Sequence, residues 1–195
     1  MTKIPCVIFA GGKSSRMGED KALLPFSNFS TLSEFQLQRL EKIFLNVYIS
    51  CKDSKKFPFN ANFILDANDS STYAPTAGFV ASFKYLKEDS FFAISVDSPF
   101  ISKEVIQKII DADTVELDAT IARTDKGMQP LCGIYHRTLA SAFIQMQDNN
   151  THKLGQLLKT SNTQYLNFED SNIFLNLNEP QDYQKALRLV NTPLL

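Results

Sequence analysis

The chain has no tryptophan, two histidines, three cysteines and only seven glycines among its 195 residues. Each scarcity excludes something. His136 and His152 lie apart and no CxxC pair occurs, so the spacing of a structural zinc site is missing. Cys6, Cys51 and Cys132 are odd in number and scattered, which argues against a disulfide framework and for reduced, buried thiols in a cytoplasmic protein. No apolar run approaches the roughly 20 residues that span a bilayer, and the N-terminus MTKIPCVIFAGG lacks the apolar length and small-residue cleavage site of a signal peptide. Neither sign of charge dominates. Lysine and arginine total 20 against 21 acids, for a net charge of −1, so no basic block favours nucleic acid.

What is present points to one globular domain over residues 1–195, with enough chain to bury a core without staples. Sixteen phenylalanines are a skew that composition does not explain. Ile4 to Ala10 is a near-continuous apolar run, as in a parallel strand covered on both faces. Further strands are expected at 46–50, 62–65, 91–96, 119–122, 131–135 and 173–177. Helical stripes fall at 32–44, from Gly78 to Leu86, after the N-cap candidate Ser102, at 139–146 and at 183–190. This alternation predicts an α/β fold with a mainly parallel sheet flanked by helices.

Three of the seven glycines stand within eight residues, in Ala10-Gly11-Gly12-Lys13-Ser14-Ser15-Arg16-Met17-Gly18. The Walker spacing fails, because Arg16 and Met17 stand where a second glycine is required, and GxGxxG fails as well. What remains is a strand feeding a Gly-Gly turn, with Arg16 and Lys21 beyond it. Exposed amides at such a turn bind phosphate oxygens, and cations add charge-assisted bonds. A Gly-rich turn with solvated charges would look the same in isolation. Position favours the first reading, since ligands of open α/β sheets bind beyond the carboxyl ends of strands. Asp97 ends a buried strand at that edge and is placed to hold a divalent ion, or else to cap the turn before Pro99. Asp66 follows another strand there and could equally be a solvated loop residue.

The segment FAGGKSSRMGEDKALLPF resembles the LAGGxSxRMGxDKxLL signature of the molybdenum cofactor guanylyltransferases, within the nucleotidyltransferases of Rossmann-like fold. Further stretches keep the family order: ILDANDSSTYAPTAGF, SVDSPF, QPLCGIYHR and FLNLNEPQDY. The resemblance implies that GTP is bound by Phe9, Ala10, Gly11, Gly12, Lys21, Asp66, Gly78 and Asp97. Arg16, Lys21 and Asp97 would be catalytic, Asp97 would hold Mg²⁺, and Asn176 and Asn178 would lie near the molybdopterin phosphate. It implies GMP transfer from GTP to molybdenum-molybdopterin, with transient contact to molybdopterin-delivering or molybdoenzyme proteins. A cytidylyltransferase, a sugar-phosphate nucleotidyltransferase or an inactive GTP-binding module are the alternatives. The chain departs from the family at Ile49-Ser50-Cys51-Lys52, where an Asn-rich stretch is usual and no contact is assigned, and at Ala74, which replaces a glycine. Glu179 replaces a threonine before Pro180, leaving Asn178 to cap the last helix with Gln181 completing a capping box.

Overall fold

In the computed structural model, residues 1–12, 18–66 and 75–191 are described. Arg16 and Ala74 lie outside them. Seven strands form one sheet in the order β3-β2-β1-β4-β6-β5-β7. These are β1 (Cys6–Phe9), β2 (Val47–Cys51), β3 (Asn62–Leu65), β4 (Ser90–Ser95), β5 (Ala119–Thr124), β6 (Gly127–His136) and β7 (Thr163–Asn167). Four strand pairings are parallel, and β6 alone runs against its neighbours β4 and β5. The helices are α1 (Leu32–Leu40), α2 (Pro75–Tyr85), α3 (Lys103–Ala112), α4 (Ala140–Asp148), α5 (Leu154–Thr160) and α6 (Pro180–Asn191).

The period-two alternation of β1 sorts its side chains between two cores. Cys6 and Ile8 join Leu37, Leu40, Ile106, Ile109 and Ala186 on the face covered by α1, α3 and α6. Val7 and Phe9 join Phe79, Phe83, Phe143 and Leu158 under α2, α4 and α5. Part of the phenylalanine surplus is spent in this second core. The Phe79 ring lies 4.3 Å from Phe143 in a stack, 4.5 Å from Tyr135 and 4.6 Å from Phe9. Truncating a fully buried ring such as Phe79 to alanine costs about 3–5 kcal/mol. All three cysteines are free and buried. No helix among the described residues is long and apolar enough to cross a membrane.

Local signals place most boundaries. Thr31 Oγ1 accepts from Glu34 N to start α1, and Ser102 Oγ accepts from Val105 N to start α3, whose Val105, Ile106 and Ile109 then face the core. Three expectations are corrected. Residues 173–177 are not a strand: Asp170 caps a 3₁₀ turn over Ser171–Phe174, and Leu177 N then donates to Asp97 O, tying the segment to a loop rather than to the sheet. The tail strand is instead β7, which together with α5 had no counterpart in the sequence reading. The start of α6 is not held by an Asn178–Gln181 box, because Asp182 Oδ2 reaches back to accept from the amides of Asn178 and Glu179.

Candidate active site

The chain runs from β1 to β2 and β3 on one side, then returns to β4 on the other side of β1. The crevice at the carboxyl ends of β1 and β4 is therefore the topological switch point where α/β sheets bind ligands. A cavity of about 190 Å³ opens there. It is lined by Phe9, Ala10, Gly11, Gly12, Lys21, Asp66, Gly78 and Asp97, which are all the described residues expected at a nucleotide.

Lys21 opens a 3₁₀ turn, Lys21–Leu23. Asp20 Oδ1 caps that turn by accepting from Ala22 N, and Asp20 Oδ2 takes Lys56 Nζ at 2.5 Å. Ser33 Oγ on α1 donates to Ala22 O, which fixes the turn against the core. Lys21 Nζ then reaches Asp97 Oδ2 at 2.6 Å and Asn178 Oδ1 at 3.2 Å. Asp97 Oδ1 accepts from Ser95 Oγ at 2.6 Å. Asp97 is thus held by side-chain contacts, and among the described residues no main-chain amide donates to its carboxylate.

Asp66 is buried at the other end of the cavity, with 7% of its surface exposed. Its Oδ1 accepts from Ser50 Oγ at 2.7 Å and its amide donates to Cys51 O. Burial raises its carboxyl above the usual aspartate range, against the opposing effects of the Ser50 hydrogen bond and the charges of Lys52 and Lys56. The solvated-loop reading of Asp66 is therefore excluded.

The glycines differ in what they accommodate. A Cβ on Gly11 would stand 3.1 Å from Asp66 Oδ2, and one on Gly78 would stand 2.7 Å from Ser50 Oγ and 2.9 Å from the Phe9 ring. Gly78 is small because protein packs against it. Gly12 has neither constraint: a Cβ there would meet nothing within 4 Å, and its φ lies outside the left-handed region. Packing against the described residues does not explain that glycine.

Asn178 meets Lys21 of the first cavity, whereas Asn176 lies beside Ser98. Asn176 Oδ1 accepts from Ser98 Oγ at 2.5 Å and lines a second cavity of about 270 Å³ with Asp97, Ser98, Gln129 and Phe174. His136 is bonded to Asp113, and His152 to Thr76 and Asn150, all away from Lys21 and Asp97. Sequence reasoning missed Ser50, Asp20 and Ser95. The signal for Ser50 was its position at the carboxyl end of β2; the Asn-rich pattern expected there hid it.

The arrangement suits a nucleoside triphosphate: a pair of glycines just beyond β1, a cation, and a carboxylate shared between two cavities. Comparison with known proteins agrees. The sequence model of the MobA-like NTP transferase domain matches residues 6–165. The chain belongs to that family. A molybdenum cofactor guanylyltransferase of Campylobacter jejuni is 36% identical over 185 residues, covering 95% of this chain and 96% of the relative. The crystal structure of molybdopterin-guanine dinucleotide biosynthesis protein A from Archaeoglobus fulgidus superposes with a TM-score of 0.81 at 22% identity, over 95% of this chain and 98% of that one. A Mycobacterium tuberculosis protein solved in complex with manganese gives a TM-score of 0.72 at 14% identity, over 96% and 98% of the two chains. This MobA-like chain is accordingly a nucleotidyltransferase of Rossmann-like fold, and its sheet is parallel throughout except at β6.

Proposed function

We propose that the protein transfers GMP from GTP to the phosphate of molybdenum-molybdopterin, forming molybdopterin guanine dinucleotide and releasing pyrophosphate. The observation that carries this reading is the convergence of Lys21 and Asp97, 76 residues apart, beside the Gly11-Gly12 pair. In this reading residues 1–195 work as one domain, since Asn176 and Asn178 complete the site from the tail. The reaction takes place in the cytoplasm, with transient contact to the proteins that deliver or receive the pterin.

The acceptor is already an anionic phosphate, so no strong general base is needed. One of its oxygens attacks the α-phosphorus of GTP while the bond to the β-phosphate bridging oxygen breaks. The electron pair of that bond leaves with pyrophosphate. The protein's task is to align two anions and to neutralise charge gathering on the α-phosphate and the leaving group. The Gly11 and Gly12 amides hold phosphate oxygens, with Phe9 and Ala10 lining the nucleoside side. Lys21 and Arg16 neutralise the triphosphate. Asp66 holds the nucleoside, and Asn176 and Asn178 face the pterin phosphate.

A divalent ion fits the donors present. The Asp97 carboxylate, paired with Lys21, and the Ser95 hydroxyl are hard oxygen donors that line both cavities and would suit Mg²⁺ shared with phosphates. Asp97 would hold Mg²⁺, which would screen the phosphate charges. The deciding experiment is turnover with molybdopterin, molybdate, Mg²⁺ and each of the four nucleotides, read as pyrophosphate release. Release with GTP alone supports the reading. Release with CTP instead would make the protein a cytidylyltransferase, and release with none would leave a binding module.

A further inference from the structure

The loop that carries Asp97 is gripped by two α1 side chains that belong to none of the motifs. Gln36 is fully buried, and its Nε2 donates to Ser95 O at 3.2 Å and to Val96 O at 3.1 Å, the two carbonyls immediately before Asp97. Arg39 Nε donates to Gln36 Oε1 at 2.6 Å, and Arg39 Nη1 donates to Ile101 O at 2.5 Å, on the far side of Asp97. One amide and one guanidinium thus hold both shoulders of the 95–101 loop.

The arginine is unusual in its surroundings. Among the described residues no carboxylate lies within ion-pair distance of it, and its Nη2 is buried without a hydrogen-bond partner. Burial pushes the guanidinium down to about 10, so it remains a cation at neutral pH. The nearby thiols do not neutralise it, because burial raises both Cys6 and Cys132, the latter to about 12. A half-buried cation that faces carbonyls rather than a carboxylate, with one nitrogen fully covered, gives up part of its hydration for no ion pair. Its geometry serves the loop instead.

We propose that Gln36 and Arg39 are positioning residues for the metal carboxylate, acting through the Ser95, Val96 and Ile101 carbonyls to aim Asp97. This rests on the reading of Asp97 as the metal ligand. Gln36→Glu separates positioning from simple packing. The new carboxylate still accepts from Arg39, and as an ion it gives the half-buried cation the partner it lacks. It cannot donate to the Ser95 and Val96 carbonyls, and it faces them with like partial charge. The ion pair with Arg39 offsets part of the cost of the two lost hydrogen bonds, while the carbonyls before Asp97 lose their anchor.

The measurement is Mn²⁺ affinity in the presence of a non-hydrolysable GTP analogue, followed by electron paramagnetic resonance, with thermal unfolding alongside. Gln36→Glu is expected to remain folded while weakening Mn²⁺ about tenfold, within the range for a ligand moved by a fraction of an ångström. Unchanged Mn²⁺ affinity in folded Gln36→Glu overturns the proposal. Should that variant not fold, Arg39→Lys takes its place, since one ammonium cannot bridge Gln36 and Ile101 as the guanidinium fork does. Folded Arg39→Lys with wild-type Mn²⁺ affinity likewise overturns it. Wild-type protein that binds no Mn²⁺ with the analogue would instead sink the metal role of Asp97, and this inference with it.

Discussion

Lys21 Nζ lies 2.6 Å from Asp97 Oδ2, and the two side chains, each 15% exposed, fix one another at the mouth of the nucleotide cavity. The same ammonium touches Asn178 Oδ1, so one cation ties the first strand's loop to Asp97 and to the C-terminal segment. Lys21→Met should lose about 10² to 10³ in turnover, the scale for one preorganised donor to developing charge. The pair is partly solvated, so its loss should change stability by no more than about 1 kcal/mol. Single-turnover kinetics and thermal unfolding check both halves. A variant keeping half of wild-type turnover would remove Lys21 from the chemistry.

Asp97→Asn keeps the shape and the hydrogen bond from Ser95 but removes the charge. Turnover should collapse and the Mg²⁺ concentration for half-activity should rise, since a neutral amide oxygen is a weaker ligand than a carboxylate for a hard cation. An Mg²⁺ titration of initial rates decides. Superimposable titrations for wild type and variant would return Asp97 to a structural role.

Gly12 and Gly78 should part company on substitution. Gly12→Ala places a methyl group in open space, so the unfolding midpoint should not move. If a phosphate oxygen bonds that amide, blocking its approach removes a charge-assisted bond of about 1.5–3 kcal/mol, or more than tenfold in KM for GTP. Gly78→Ala instead forces Ser50 Oγ and the Phe9 ring aside, and should cost about 1–3 kcal/mol of stability. Calorimetry on both variants, with GTP titration of the first, tests the contrast.

The contrast also marks what was legible in the sequence. The strand β1, the buried strand before Asp97 and the α/β alternation carry local signals of apolar runs and caps, and these were read correctly. β7 was not, because Thr163–Asn167 is an edge strand with no fully buried position and so no apolar run. The 173–177 segment failed for the opposite reason: Phe174 and Leu177 are buried, but against the helix side of the sheet and the Asp97 loop. Ser50, Gln36 and Arg39 reach the site through partners 16 to 62 residues away, and no local pattern encodes such pairings.

Asp66 should trade stability for recognition. Burial raises its carboxyl in the folded chain, whereas the unfolded chain leaves it at the ordinary value. Between those two values the folded state binds more protons, so this group's contribution to stability falls as pH climbs through the interval. At neutral pH the ionised carboxylate costs stability, and Asp66→Asn should raise the unfolding midpoint there. The gain should shrink as pH drops and wild-type Asp66 protonates. Activity should move the other way. An ionised carboxylate accepts hydrogen bonds only, and guanine offers N1–H and N2–H donors on one edge. If Asp66 reads that edge, Asp66→Asn should lose at least about tenfold in kcat/KM for GTP, on the scale of one charge-assisted hydrogen bond. ITP, which lacks the N2 amine, should lose less. Wild-type KM for GTP should also climb as pH falls through the raised value. Equal losses on GTP and ITP would move Asp66 to the ribose or the N1 position, and a more stable variant with full GTP activity would take it out of the site.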